Sequence, residues 1–392
     1  MLRVGILTKE WPPDVYGGAG VHVEELVREL RPLADVRVHC FGPTRTGAHG
    51  HPVPAGYERV NAVLQTIAVD LDMVRALDNV DVVHSHTWYT NLSGHLSEEF
   101  LGVPHVLTAH SLEPRRPWKA EQLGGGYRIS SWLESSAYRE AAAIIAVSDG
   151  MKADVLDAYP LIDEAKVHVV RNGIDTVKWQ PQESTDLIEQ YGVDPDRPYV
   201  VFVGRITRQK GIAHLLRSAT RFDPGLQLVF CASAPDTPEI AAETRAQIAE
   251  LREHRSGVVW IEEHAPRNVV QQLLSHALAF LCPSVYEPLG IVNLEAMACH
   301  TAVVSSDVGG IPEVVADGET GVVVPYTPDD TEDFERRFAD AVNSLAADPA
   351  RARVLGDRGR ERAVDHFGWQ VVAARTVDVY LAAGAVPGAV AP

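Results

Sequence analysis

The sequence predicts an α/β protein in which parallel sheets covered by helices are divided between two domains. Three observations carry this. Short apolar, β-branched runs alternate with helical patterns almost from end to end. A chain of 392 residues exceeds what one ordinary core holds. The alternation is interrupted once, at RNGIDTVKWQPQ, where Asn172-Gly173 signals a turn and Pro181 breaks the next stretch of regular structure.

In the first half, RVGILT, DVRVHCF, DVVHSH, HVLTAH and AAIIAVS read as strands, each followed by a loop and a helical pattern, and KVHVV (166–170) closes the half. A second alternation opens at YVVFVGRI (199–206) and runs through LQLVFCA, GVVWIEE, AFLCPS, AVVSSD and TGVVVP. The expected domains are therefore 1–170 and 199–365, joined by a linker at 171–198, with the last helix, roughly 368–383, crossing back onto the first domain. Both halves read as Rossmann-like. Ligands of such open sheets sit outside the carboxyl ends of the strands, so the parallel sheets are expected to face an interdomain cleft.

Composition narrows the function. Lys plus Arg number 35 against 53 Asp plus Glu, a net charge of −18, which argues against nucleic acid or an anionic membrane as partner. The first 130 residues hold 12 basic and 15 acidic side chains, so nearly all of the deficit lies in the remainder, and a phosphate site there needs local cations. Cys40, Cys231, Cys282 and Cys299 form no CxxC pair and lie in apolar patterns, which argues against a disulfide or structural-metal framework. No apolar run reaches bilayer length, and MLRVGILTKEW meets charge too early for a signal peptide. A cytoplasmic protein without stable membrane association is expected. Oligomeric state is open, a homodimer included.

The candidate site residues come from strand ends and helix mouths. In YEPLGIVNLEAMA (286–298), Pro288 pushes Glu287 into extended backbone, while Leu289, Val292, Ala296 and Cys299 recur at helical spacing and place Glu295 inside the helix. Side chains tilt toward a helix N-terminus, so Glu295 leans back to the mouth that Glu287 faces. The first-turn amides of Gly290, Ile291 and Val292 favour an anion. A ligand with a phosphate in its middle and hydroxyls at both ends, such as a nucleotide sugar, suits the set; the competing reading is two solvated glutamates. VGRITRQKG (203–211) supplies Arg205 at a strand end and Lys210 five residues on, a planar and a point-charge cation suited to a diphosphate. Gly17, Gly18 and Gly20 form a glycine-rich strand-to-helix turn that admits a substrate to the backbone.

His110 follows an uninterrupted apolar strand and is expected at the cleft lip; His84 and His86 end another strand, where a lone histidine is more often a satisfied polar residue than a catalyst. The histidine spacing gives no ligand set, so no metal is expected. Arg115, Arg116 and Lys119 beside Trp118 suit a phosphate clasp with a sugar-stacking ring, or surface decoration. SSDVGGIPEVV (305–315) adds a second glycine turn that either contacts the ligand or closes a loop.

GGAG near the N-terminus, GRITRQKG, YEPLGIVNLE and VGGIPEVV, in this order, resemble the retaining glycosyltransferases of family four with the two-Rossmann GT-B fold; the match covers residues 1 to about 365. The wording of 1–30 together with HSHTWYTNLSGH and TAHSLEPRRPWK is similar to that of actinobacterial glycogen synthases, a group that includes maltose-1-phosphate synthases. The resemblance implies transfer of glucose from ADP-glucose, with retention and without a cofactor or metal, to glucose 1-phosphate or an α-glucan. It implies that Arg205 and Lys210 bind the diphosphate, that Glu287 holds the donor sugar's hydroxyls and Glu295 the ribose, and that Gly290, Ile291 and Val292 donate to the phosphates. It implies that His110 lies near the sugar's 6-hydroxyl and anomeric centre. By position, Gly17 and Gly18 belong with the donor, and His86, Arg115, Arg116 and Lys119 with the acceptor. One departure is that Val15-Tyr16 precede the first glycine pair, where many bacterial glycogen synthases have a lysine. No carboxylate is poised behind the sugar, which favours front-face attack. Other readings are a lipid or inositol-type acceptor, a GT-B-shaped nucleotide-sugar isomerase, or a non-catalytic sugar-binding protein.

Overall fold

The computed structural model describes residues 1–233 and 235–388. Two compact units divide the chain: Met1–Asn172 with Trp369–Pro392, and Gly173–Gly368.

The first unit is built on seven strands, β1 (Arg3–Thr8), β2 (Asp35–Phe41), β3 (His49–His51), β4 (Val82–His86), β5 (His105–Ala109), β6 (Ala143–Ala146) and β7 (Val167–Val169). They lie parallel in the order β3-β2-β1-β4-β5-β6-β7. Sequence order reverses between β1 and β4, the switch point at which open α/β sheets leave a crevice. Burial on both faces explains why β4, β5 and β6 read as continuous runs rather than alternating ones. The helix Gly18–Leu30 buries Val23, Leu26, Val27 and Leu30 at 3.6-residue spacing against Val4, Ile6 and Val38. The closing helix Trp369–Ala382 packs on it, with Trp369 and Tyr380 in the same core. The strand β3 is not legible in the sequence because three residues are too few to show a period.

The second unit carries β8 (Tyr199–Arg205), β9 (Gln227–Ser233), β10 (Val258–Ile261), β11 (Ala279–Cys282), β12 (Val303–Ser306) and β13 (Gly321–Val324), parallel in the order β10-β9-β8-β11-β12-β13. Its switch point falls between β8 and β11. Phe202, Phe230, Leu281, Phe334 and Phe338 fill its core. The expected linker, 171–198, is not a bare tether from Gly173 onward: Ser275 Oγ accepts from Gln182 N at 3.0 Å, Gln272 Oε1 accepts from Leu187 N at 3.0 Å, and Ile188 is fully buried. A turn-rich composition marks where helices and strands stop, and says nothing of what the extended backbone between them packs against.

Candidate active site

In the second unit the charged residues gather at the switch point. Arg205 ends β8, and its Nη2 lies 2.5 Å from Asp236 Oδ1. Thr207 Oγ1 accepts from Lys210 N at 3.3 Å, and Gln209 O accepts from Val285 N at 2.9 Å, so the turn after β8 is tied to the loop after β11. There Lys210 Nζ lies 2.7 Å from Glu287 Oε2, which also accepts from Ser284 Oγ at 3.0 Å. Glu287 is 6% exposed. Burial alone would drive the charge off Lys210; the charge of Glu287 and its hydrogen bond more than offset this and hold Lys210 above its ordinary value.

Gly290 takes φ +95°, a left-handed conformation that delays the helix to Ile291–Ala298, three residues past Pro288. A Cβ at Gly290 would meet Asn293 Nδ2 at 2.5 Å and Glu287 Cγ at 3.4 Å. Lys210, Ser284, Glu287, Gly290, Val292 and Asn293 line one pocket. Asn293, which the sequence does not single out, is fully buried, and neither of its amide atoms has a partner. The glycine turn at 309–310 closes onto this loop: Glu287 O accepts from Gly310 N at 3.0 Å.

Glu295 sits one helix turn inside, 9% exposed, and burial pushes its carboxyl up to about 8 against the opposing charge of Lys210. Its ordinary value is near 4.5, so between 4.5 and 8 the native state holds a proton that the unfolded state has released, and stability falls as pH rises through that window. Glu295→Gln is neutral in both states. Its melting temperature relative to the wild type is expected to rise from pH 5 to pH 8 and then level off, by about 2–4 °C for each kcal/mol recovered. Equal differences at the two pH values, measured by calorimetry without ligand, would remove the assignment.

In the first unit the glycine turn after β1 contains its own anion. Glu10 Oε2 accepts from Tyr16 N and from Gly17 N, both at 2.9 Å, at the mouth of the helix that begins at Gly18. Sequence reasoning misses Glu10 because a single carboxylate in an irregular loop carries no period. His86 ends β4 and His110 follows β5; His86 Nδ1 lies 3.0 Å from His110 Nε2. His22, on the helix Gly18–Leu30, meets the His110 ring edge-on at 4.6 Å between centroids and donates from Nδ1 to Asn172 Oδ1 at 2.7 Å. His84 is satisfied by Tyr380 and Thr108, both at 2.7 Å. Desolvation is the largest cause holding His110 and His86 well below the ordinary imidazole range, with neighbouring histidines adding to it, and lowers His22 to about 4; all are neutral at pH 7. Thr87, next to His86, takes φ +67°, a costly conformation for a β-branched residue that concentrates at functional sites.

Arg115, Arg116 and Lys119 are not gathered as a free clasp. Arg115 is bound to Asp154 at 3.0 Å and Asp157 at 2.6 Å, Arg116 to Glu113 at 2.7 Å, and Lys119 to Gln122. Glu113 in turn accepts from Ser130 Oγ at 2.7 Å and donates its N–H to Glu134, which burial pushes up to about 8. The two arginines here pin the turn after His110 to its neighbours. Among the described residues no helix is long and apolar enough to cross a membrane.

Two family descriptions match the two halves: Glycosyltransferase Family 4 over residues 16–178, and Glycosyl transferases group 1 over 183–362. The chain is 58% identical to an alpha-maltose-1-phosphate synthase of Mycolicibacterium smegmatis over 383 residues, 97% of this chain and 99% of that one. It is 31% identical to a glycogen synthase of Mycobacterium tuberculosis over 426 residues, covering 97% and 95%. Sucrose-phosphate synthase from Thermosynechococcus elongatus has a similar fold, with a TM-score of 0.80 at 23% identity over 97% of this chain and 98% of that one.

Proposed function

The chain belongs to the family 4 glycosyltransferases, with the GT-B fold, and from that premise we propose that it transfers glucose from ADP-glucose, with retention, to glucose 1-phosphate, making maltose 1-phosphate. The observation that carries this reading is the Lys210, Glu287 and Gly290 constellation at the switch point of the second unit, in a chain 58% identical to an alpha-maltose-1-phosphate synthase.

In this reading Arg205 and Lys210 hold the diphosphate, and the amides of Gly290, Ile291 and Val292, which a helix cannot satisfy itself, face its oxygens. Glu287 takes the hydroxyls of the donor glucose and Glu295 those of the ribose. Breaking the anomeric bond builds negative charge on the departing diphosphate, so these cations and amides act more strongly on the transition state than on the ground state. The acceptor hydroxyl enters on the leaving-group side and gives its proton to a diphosphate oxygen. His110, neutral at pH 7, hydrogen-bonds a sugar hydroxyl and donates no acidic proton. No metal takes part. Glu10, already bonded to the amides of Tyr16 and Gly17, shapes the glycine turn and leaves Gly18 as its approach to the donor. Residues 115–119 are assigned to the acceptor side by their place after His110. The enzyme is expected to work in the cytoplasm.

A second reading, elongation of an α-glucan, is favoured by the full-length likeness to a glycogen synthase. Four rates of nucleotide release decide between the readings: ADP-glucose and UDP-glucose, each offered glucose 1-phosphate and glycogen. The expected result is release dominated by ADP-glucose with glucose 1-phosphate. Release dominated by glycogen selects the second reading, and no release with any pair defeats both.

A further inference from the structure

We propose that His22, His86 and His110 form a binding site for a divalent transition-metal ion such as Zn²⁺, and that the bound ion blocks glycosyl transfer. The three residues come from separate segments, a helix, the end of β4 and the loop after β5, yet each offers a ring nitrogen within 4.8 Å of the others. Among the described residues this is the one group of at least three metal-ligating side chains so placed.

The hydrogen bonds set the protons for it. An amide oxygen only accepts, so the 2.7 Å contact with Asn172 Oδ1 puts the His22 proton on Nδ1 and leaves the Nε2 lone pair available. Nε2 is buried, without a partner, on a side chain 2% exposed. A ligating histidine characteristically gives its other N–H to an oxygen in this way, which fixes tautomer and ring orientation. His86 Nδ1 and His110 Nε2, 3.0 Å apart, share one proton between two lone pairs. The ring that carries that proton moves it to its other nitrogen, a tautomer shift that keeps both imidazoles neutral, and an ion entering between them takes both lone pairs. Zn–N bonds of about 2.0–2.1 Å put tetrahedral ligand nitrogens roughly 3.3 Å apart, close to the spacing of this pair. His22 closes the third position by a small ring shift, and water fills the fourth.

A purely nitrogen donor set selects Zn²⁺, Cu²⁺ or Ni²⁺ over Mg²⁺ or Ca²⁺, which require oxygens. Occupancy is inhibitory because it engages His110, the residue assigned to the donor sugar. That half of the inference rests on the proposed function; the binding half does not. His39, His49 and His51 form a second histidine cluster, but among the described residues only His22, His86 and His110 bring three ligand atoms within reach of one ion.

The test is calorimetric titration of the chelator-treated full chain with ZnCl₂, alongside visible absorption with Co²⁺ and nucleotide release with Zn²⁺ present. One site per chain is expected, with the d–d bands of four-coordinate Co²⁺. Its affinity should fall at least tenfold in both His22→Ala and the shape-preserving His22→Gln, fall about 10–100-fold in Asn172→Ala, and persist in His49→Ala. Wild-type activity should be lost with Zn²⁺ and recovered with EDTA, while whatever activity His22→Gln retains should resist Zn²⁺. Binding unchanged in both His22 variants, or lost in His49→Ala instead, overturns the site. Binding that depends on His22 without any effect on transfer overturns the blockade and, with it, the placement of His110 at the donor sugar.

Discussion

Lys210→Ala is expected to lower kcat/KM for nucleotide release by ~10²–10³, the cost of losing one group aimed at developing charge. Two effects are folded into that number, because Lys210 is also the ion-pair partner of Glu287, which is 6% exposed. Removing Lys210 leaves buried Glu287 with the Ser284 hydroxyl and no ion-pair partner, at a cost of about 3–5 kcal/mol. Glu287→Gln and the double variant separate the two effects. If Lys210 only neutralises Glu287, the double variant recovers the melting temperature and the ADP affinity lost in Lys210→Ala. If Lys210 also holds the diphosphate, the double variant regains melting temperature and keeps the weakened ADP binding, which is the expected outcome. Glu287→Gln alone should abolish transfer and keep ADP binding by calorimetry, because the carboxylate faces the sugar. Lost ADP binding would reassign it to the phosphate site.

The legible and the hidden parts of the chain differ in kind. Apart from β3, the strands of each sheet are legible because burial on two faces suppresses a polar alternation, and within each unit the parallel order then brings its own strands' carboxyl ends to one edge. Glu287, Gly290 and Glu295 are legible because a proline, a glycine and a helical period fix backbone conformation locally. Asn293 is not, since its position inside the same helix marks it as one more residue of the period. His22 is hidden likewise, and its significance comes from Asn172, 150 positions away. Arg115 misleads in the opposite direction. A cation in a loop reads as available, and its partners, Asp154 and Asp157, belong to a later helix, Asp149–Ala158. Local rules of backbone geometry carry over from sequence to structure, whereas the pairing of charges is settled by tertiary contacts.

Gly309→Ala tests the most distant support of the candidate site. Gly309 takes φ +56°, and a Cβ there would lie 2.1 Å from Glu287 O, the carbonyl that accepts from Gly310 N. Backbone cannot yield as a flexible side chain does, so the loop carrying Glu287 must shift. Left-handed backbone costs an alanine about 1–2 kcal/mol, and forced overpacking about 1–3 kcal/mol. For a unit of this size the melting temperature should fall about 5–15 °C. Gly318→Ala is the control, because Gly318 has φ +72° and no atom within 4 Å of the added Cβ, so it bears the backbone cost alone. The difference between the variants isolates the contact with Glu287. If the glycine turn exists to seat that carboxylate, Gly309→Ala loses transfer at temperatures where it is still fully folded, and Gly318→Ala does not. Equal melting temperatures, or full activity in folded Gly309→Ala, would show that the 305–315 turn merely closes a loop and that Glu287 is positioned by Lys210 and Ser284 alone.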